Sequence, residues 1–185
     1  MDAIEARLVE LGLQLPPVPT PVAEYVPAKQ VGDLVYVSGQ GPIQNGRAIC
    51  VGRVGAEVSL SEAYEAAQLC VLNSLAAVKM VAGSLDRVAE VVHVRGFISS
   101  APGFHDQPKV LNGASELLVR LFGERGRHAR AALGTSVLPG NIAVEVEVVV
   151  RLFPTTGCAG AAPNRGEEVK AARNDAEQRV NLGFR

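Results

Sequence analysis

Apolar residues recur along this chain at two spacings, three to four residues apart in some segments and two apart in others. Ile4, Leu8 and Leu11 have the helical spacing at the start of the chain. They predict a short amphipathic helix over residues 2–12. Four prolines in the following LQLPPVPTPVAEY impose an extended path. Residues 1–19 are therefore expected to form an N-terminal helix and a proline-rich arm.

Strand-forming residues replace this pattern after the arm. The run LVYVSG is rich in valine and tyrosine, and the Asn-Gly pair at residues 45–46 suits a tight turn with positive φ. Residues 34–52 are therefore predicted to be a strand and a hairpin. A long helix is predicted to begin after Ser59, which forms a capping-box signature with Glu62, and to end near Gly83.

A strand, VAEVVHVRGFIS, and a second helix continue the chain. The helix is predicted over about residues 107–122, because its apolar residues fall on one face and Gly123 and Gly126 follow it. That face comprises Val110, Leu117, Leu118 and Leu121. With the strands that follow, the order of elements predicts an α+β fold in which helices pack on one face of a mixed sheet.

The stretch RHARAALGTSVLPGNIAVEVEVVVRL is predicted to form two antiparallel strands joined by a turn at residues 138–141. In that register one face carries charged and small residues and the other is apolar. The charged face comprises Arg130, Ala132, Gly134, Glu145 and Glu147, and the apolar face comprises Leu133, Val137, Ile142, Val144, Val146, Val148 and Val150. The apolar face is expected to meet the helices, since the opposite register would bury both glutamates.

Arg130 allows two interpretations at this point. It can form a cross-strand ion pair with Glu147, which contributes about 0 to 1 kcal/mol at an exposed site. Alternatively, it can bind a small carboxylate or phosphate through two parallel hydrogen bonds, with a glutamate nearby to steer a proton or a water molecule. The spacing of the residues does not decide between them.

Composition narrows the range of partners. The 185 residues carry 18 basic and 19 acidic side chains, so no overall field attracts nucleic acid or an anionic membrane. Three cysteines without CxxC spacing indicate neither disulfides nor a zinc site, and a cytoplasmic protein without signal peptide or membrane span is expected. Glu90 and His93 are expected to point to opposite faces of a strand, so no metal site is predicted. Residues 154–185 are expected to be a tail, partly disordered or helical.

Three motifs follow one another near the C-terminus: Ala129-Arg130, then Leu138-Pro139, then Glu145-Val146-Glu147. Together with EYVPAKQVGDLVYVSGQGP, the helix start SLSEAYEAA and Asn112, they resemble the signature of the Rid family, the reactive intermediate deaminases also called YjgF-type proteins. The resemblance covers residues 20–153, which are expected to form one Rid-type domain. It is strongest to a longer subgroup described as endoribonuclease-like.

The resemblance implies a chorismate-mutase-like α+β subunit, with two main helices on one face of a mixed sheet and a short N-terminal helix. It also implies a homotrimer with small-molecule sites in clefts between subunits. Deaminases of the family hydrolyse 2-imino acids and enamines to 2-oxo acids and ammonia, without a metal or another cofactor. By this resemblance Arg130 binds the substrate carboxylate and Glu145 orients the attacking water. The resemblance also implies a pocket lined by Tyr25, Ser38, Gly39 and Asn112.

The chain departs from the family pattern around the arginine. Residues 131–132 are both alanine where a serine and a cysteine are usual, and His128 stands where a proline is common. These changes are expected to remove polar groups from around Arg130 and to favour a larger or more apolar substrate. Two other functions stay open: a noncatalytic trimer that binds 2-oxo acids, and an RNA-acting protein that depends on Arg125 and Arg127. Few aromatic residues and a balanced charge make nucleic acid the less expected partner.

Overall fold

A computed structural model describes residues 2–18 and 23–154, which contain three α-helices and seven strands. The helices are α1 (Ala3–Glu10), α2 (Leu60–Ala82) and α3 (Gln107–Phe122). The strands are β1 (Ala28–Val31), β2 (Leu34–Gln40), β3 (Ile43–Gln44), β4 (Arg47–Ala48), β5 (Val88–Ser99), β6 (Ala129–Thr135) and β7 (Val144–Leu152). Cys158 and the predicted helix of the tail lie outside the described residues.

Local signals in the sequence predicted most of these bounds correctly. The Ser59 side chain accepts a hydrogen bond from the backbone N–H of Glu62, and the Glu62 carboxylate accepts one from the Ser59 N–H at 2.8 Å, which completes the capping box of α2. The turn at residues 45–46 has positive φ at both positions, 51° and 74°. α3 has the predicted bounds, and its four predicted apolar residues are fully buried. The apolar pattern did not predict β1, an edge strand in which only the first residue is buried.

Five strands form the main sheet in the order β1-β2-β7-β5-β6. β6 pairs with β5 in parallel, and the other neighbouring strands are antiparallel. The predicted hairpin between β6 and β7 is therefore wrong, because β5 lies between them and pairs with both. The turn at residues 138–141 does form, with φ of 64° at Gly140 and 55° at Asn141. It carries the chain across the end of β5 instead of joining adjacent strands.

The insertion of β5 also reverses the predicted face of Arg130. Along β7 the four valines of the predicted apolar face are buried, and Glu145 and Glu147 lie on the outer face, as predicted. Arg130 pairs with the buried Val94 of β5 and contacts α3, so it lies on the face that the helices cover. Leu133, predicted to face the helices, is 45% exposed. β6 and β7 each take their register from β5, so no hairpin loop fixes their faces relative to each other.

α2 and α3 cover one face of the sheet, and glycines allow their close approach. A Cβ added at Gly113 of α3 would lie 2.1 Å from the Tyr64 carbonyl oxygen of α2, and one at Gly96 of β5 would lie 2.4 Å from Leu111 Cδ1. α3 therefore packs directly against both α2 and β5. Among the described residues, α2 alone has the length and hydropathy of a membrane span, and 67% of its most apolar window is buried inside the fold. That burial is typical of a core helix.

A bulge in β5 changes the faces of its polar residues. The register of β5 against β7 shifts at Val92, so Val92 and His93 both lie between residues that face the helices. Glu90 and His93 consequently share the outer face, and the alternation predicted from their spacing is wrong. The Glu90 carboxylate accepts a hydrogen bond from Arg151 Nε at 2.8 Å.

Candidate ligand-binding site

Arg130 lies on β6 at the edge of the sheet, and two side chains of α3 hold its guanidinium group. Arg130 Nη1 donates to Asn112 Oδ1 at 2.8 Å and to Ser115 Oγ at 3.2 Å. These two contacts use both hydrogens of Nη1. Within residues 2–18 and 23–154, neither Nε nor Nη2 has a hydrogen-bond partner and no carboxylate forms an ion pair with Arg130. The Nε–Nη2 edge is therefore open for a planar anion.

The α3 sequence explains why Asn112 and Ser115 meet at this arginine. Residues three apart in a helix lie on the same face, and these two flank the side of α3 that packs on the sheet. Between them, Gly113 fits against the backbone of α2, so α3 lies close to α2 at this point. The resemblance predicted Asn112, and the structure places it in contact with Arg130.

His128 extends the hydrogen bonding around Arg130. Its Nε2 lies 3.0 Å from Ser115 Oγ, and its Nδ1 lies 2.7 Å from the carbonyl oxygen of Gly126. Burial lowers the pKa of His128 below its usual value, and nearby Arg130 and His93 lower it further. The departures near Arg130 are predicted to remove polar groups, but one of them, His128, places a polar ring beside Ser115.

Sequence reasoning missed both Ser115 and His128 as site residues. Two spacings could have indicated them. His128 precedes Arg130 by two residues, which places both on one face of an extended segment, and Ser115 follows Asn112 by three residues in a helix.

Glu145 forms the second polar group, on β7. A Cβ added at Gly39 would lie 2.1 Å from Glu145 Oε1, so the glycine leaves the space that the carboxylate occupies. Gly39 lies in an interruption of the β2–β7 pairing between Val37 and Gln40. Burial raises the pKa of Glu145, and the neighbouring Glu147 raises it further. This carboxyl group therefore binds a proton more readily than an ordinary glutamate does.

Ser38 precedes Gly39 in β2 and contacts the segment that follows Tyr25. Ser38 Oγ donates to the Val26 carbonyl oxygen at 2.7 Å, and the Ser38 N–H donates to the Pro27 carbonyl oxygen at 2.9 Å. Tyr25, immediately before Val26, has a side chain that is 49% exposed. The serine thus fixes the segment that carries the tyrosine, next to the strand end that carries Gly39.

One subunit does not bring Arg130 and Glu145 together. They are paired to residues of β5 three positions apart, on either side of that strand. Strand spacing and rise place their backbones roughly 14 Å apart. Their side chains also lie on opposite faces of the sheet. The cross-strand ion pair between Arg130 and Glu147 is absent from the described residues, since Arg95 Nη1 pairs with Glu147 at 3.0 Å.

The other residues considered for chemistry have structural partners. Arg125 Nη1 donates to the Val88 carbonyl oxygen at 2.7 Å, and its guanidinium lies 5.8 Å from the centre of the Phe153 ring. Arg127 pairs with Glu124 at 2.8 Å. Burial raises the pKa of the Cys50 and Cys70 thiols, which keeps both protonated.

The mixed sheet with two helices on one face defines a small α+β domain of the chorismate-mutase-like type. A family model described as "YjgF/chorismate_mutase-like, putative endoribonuclease" matches residues 5–153. The chain belongs to this YjgF/Rid family.

Three solved structures illustrate the similarity. Protein Atu1372 of Agrobacterium tumefaciens, of unknown function, is 44% identical, with 81% of this chain and 92% of that chain covered and a TM-score of 0.75. A "putative endoribonuclease" from Shewanella oneidensis MR-1 is 36% identical, with 80% and 99% covered and a TM-score of 0.78. RidA from the Antarctic bacterium Psychrobacter sp. PAMC 21119 is 26% identical, with 73% and 94% covered and a TM-score of 0.52.

Proposed function

We propose that this protein hydrolyses 2-imino acids, and the enamines that tautomerise with them, to 2-oxo acids and ammonia. The observation that carries the proposal is the hydrogen bonding of the Arg130 guanidinium, which leaves one edge open. Its guanidinium is anchored through Nη1 by neutral oxygens of α3, while its Nε–Nη2 edge has neither a hydrogen-bond partner nor an acidic partner among the described residues. An arginine edge of this kind matches the two oxygens of a carboxylate. Membership of a family that includes RidA supports the same substrate class.

The proposed reaction needs few protein groups because an iminium carbon is already electrophilic. Water adds to C2 of the imine as its proton passes to Glu145, and the carboxyl group returns this proton to the nitrogen of the carbinolamine. The C–N bond then breaks and ammonia leaves with the bonding electrons. As the C2–O bond becomes the carbonyl, the hydroxyl proton passes to Glu145 and from there to ammonia, which restores the carboxylate. The raised pKa of Glu145 suits a group that both accepts and returns a proton. Arg130 holds the carboxylate and orients C2 toward the water.

We propose that the site is shared between two subunits of a homotrimer. Arg130 and Asn112 come from one subunit, and Glu145 with Tyr25, Ser38 and Gly39 comes from its neighbour. The positions of the two groups, on opposite sheet faces within a subunit, support this arrangement. The outer sheet face supports it too, because a neighbouring subunit would remove its exposed apolar side chains from water. These include Tyr36 (49% exposed), Leu133 (45%) and Val92 (37%).

The substrate side chain is expected to be apolar. Ala132 lies two residues from Arg130 on the same face of β6 and packs against the hydrophobic core. It therefore offers a methyl surface beside the arginine. We expect imines derived from larger apolar amino acids to be hydrolysed faster than those from alanine.

Activity can be tested by generating 2-imino acids in situ with an amino-acid oxidase and trapping them with semicarbazide. Wild type should divert imine from the trap, and Arg130→Ala and Glu145→Gln should not. Arg127→Ala is the matched control, because it removes the same charge from an exposed arginine that pairs only with Glu124 among the described residues. If wild type fails with every imine, the deaminase proposal is wrong.

Mixing the two inactive variants tests the shared site. When Arg130→Ala and Glu145→Gln subunits are unfolded and refolded together in equal amounts, one interface in four combines an intact Arg130 with an intact Glu145. Activity should return to about one quarter of the wild-type value if sites lie between subunits. No recovery would contradict a site shared between subunits.

Two alternatives give different results in these experiments. A noncatalytic binding protein would bind 2-oxo acids through Arg130 in calorimetry, hydrolyse no imine and tolerate Glu145→Gln. The description of the family as endoribonuclease-like favours RNA as another target. Against RNA, Arg127 pairs with Glu124, and the Arg125 guanidinium already donates to the Val88 carbonyl oxygen and lies over the Phe153 ring. RNA cleavage that is lost in Arg127→Ala and retained in Arg130→Ala would favour this alternative.

A further inference from the structure

The hydrogen bonds behind Arg130 form one continuous series. It runs from the Gly126 carbonyl oxygen to His128 Nδ1 at 2.7 Å, from His128 Nε2 to Ser115 Oγ at 3.0 Å, and from Ser115 Oγ to Arg130 Nη1 at 3.2 Å. The other Nη1 contact, to Asn112 Oδ1, ends the series at 2.8 Å. All the side chains of the series except Arg130 are half-buried.

The chemistry of its ends gives the series a direction. A carbonyl oxygen only accepts, so His128 Nδ1 carries the hydrogen that is donated to Gly126. Burial and the nearby Arg130 favour neutral histidine, so Nε2 carries a lone pair and accepts the Ser115 hydroxyl hydrogen. The Ser115 oxygen then offers its own lone pair to Arg130 Nη1. Each of the four hydrogen bonds in the series therefore joins one donor to one acceptor.

The acceptors of the series hold the Arg130 guanidinium in one orientation. Both Nη1 hydrogens are committed to α3, and the plane of the guanidinium is fixed by two acceptors. An exposed arginine usually loses much rotamer freedom when it binds a ligand. Fixing the group in advance reduces that loss and raises affinity without a new ligand contact.

We infer that Ser115 and His128 are positioning residues, which hold Arg130 so that its Nε–Nη2 edge receives the two oxygens of a planar carboxylate. The inference deepens the proposed function and rests on it for the identity of the ligand. Neither residue needs to touch the ligand. Their role is to set the direction of the arginine edge before the ligand arrives.

Two neutral replacements of His128 separate its two hydrogen bonds. The amide oxygen of glutamine can take the place of Nε2, so His128→Gln keeps an acceptor for Ser115. The amide nitrogen of asparagine can take the place of Nδ1, so His128→Asn keeps the donor to Gly126 and loses the acceptor. Ser115→Ala removes the hydroxyl, and Ser115→Thr retains it.

The dissociation constant of a 2-oxo acid, 2-oxobutanoate, would be measured by calorimetry beside KM and kcat for imine hydrolysis. Ser115→Ala and His128→Asn should raise the dissociation constant and KM roughly tenfold with little change in kcat, while His128→Gln and Ser115→Thr stay near wild type. Equal losses in both His128 variants would overturn the inference. A fall in kcat at unchanged affinity would also overturn it, since His128 would then act on the reaction itself.

Ligand-free NMR keeps this inference separate from the proposed function. The His128 ring nitrogens should show the Nδ1-protonated tautomer, and the Nη1 and Nη2 signals of Arg130 should be distinct in wild type and merge in Ser115→Ala. An Nε2-protonated ring, or merged signals in wild type, would overturn the inference whatever ligand binds. A wild type that shows distinct Nη signals but neither binds 2-oxobutanoate nor hydrolyses imines would give a different result. That result would overturn the proposed function and the ligand assigned to the arginine edge. It would leave the anchoring of Arg130 established.

Discussion

The close approach of Gly39 to Glu145 predicts that one added methyl group inactivates the protein without unfolding it. In Gly39→Ala the new Cβ would lie 2.1 Å from Glu145 Oε1 and 2.8 Å from its Cδ. Ordinary van der Waals contact begins near 3.4 Å, so the carboxylate oxygen must move by about 1.3 Å, the difference between 3.4 and 2.1 Å. The methyl group therefore displaces the one acidic group that the proposed reaction uses.

The expected cost can be estimated from the size of the movement. A displacement of about 1 Å in a group that orients a reacting molecule costs on the order of 100-fold in rate. The free energy of unfolding should change by less than about 1 kcal/mol, because the atoms that move are the flexible end of a half-buried side chain and not backbone. Imine diversion from semicarbazide measures the rate, and urea denaturation measures stability.

A neighbouring glycine provides the control. A Cβ at Gly41 would lie 2.8 Å from the end of the Ile142 side chain and at an ordinary 3.8 Å from Ile43, so Gly41→Ala should keep its activity. A double-mutant cycle supplies the stricter test. In a Glu145→Ala background the Gly39→Ala change should add almost nothing to the loss, because the displaced group is already gone. A wild-type rate in Gly39→Ala, or an undiminished loss in the Glu145→Ala background, would refute the reasoning.

Three further changes test other contacts. Asp86→Ala should lower the free energy of unfolding, measured in urea, by about 1 kcal/mol, because the Asp86 carboxylate accepts hydrogen bonds from the first two backbone N–H groups of α1. These bonds lower the pKa of Asp86. The difference between variant and wild type should therefore hold at neutral pH and vanish as the pH falls through that pKa. Glu145→Gln should raise Tm more at about pH 8 than at about pH 4. Burial, and to a smaller extent the charge of Glu147, raise the pKa of Glu145, so its ionised form destabilises the folded state. Equal increases in Tm at both pH values would contradict this. Gly113→Ala should destabilise by about 1–3 kcal/mol in urea, because the new Cβ would lie 2.1 Å from the Tyr64 carbonyl oxygen. Alanine usually stabilises a helix interior, so a more stable variant would disprove that contact.

The helices were predictable because their signals are local. The capping box at Ser59 satisfies backbone groups within one turn, and the glycine at residue 123 ends α3 whatever the rest of the fold does. The alternation of valine and glutamate in β7 is also local, since it needs only a strand with one buried face. Each of these features depends only on residues within about two helical turns or within one strand.

The order of the strands was not predictable in the same way. Residues 138–141 have the sequence of a hairpin turn, and nothing near them indicates that β5 is inserted between β6 and β7. Strand order depends on which distant partner offers the better buried face, and the strongly apolar β5 can pair on both of its edges. The bulge at Val92 has the same origin, since it adjusts β5 to a partner distant in sequence.

The crossing over β5 explains how one short motif can supply two separate parts of a site. Arg130 and Glu145 are close in sequence, but the crossing puts them on either side of β5 and on opposite faces of the sheet. If β7 slipped by one residue after the turn, Glu145 and Glu147 would turn into the core and the valines outward, at a large desolvation cost. The buried valines of β7 therefore fix the outward direction of Glu145, while the contacts of Arg130 with α3 fix the other half independently. Substitutions in the turn should consequently leave both halves in place, because the pairing of β7 with β5 and the contacts of Arg130 with α3 do not depend on the turn.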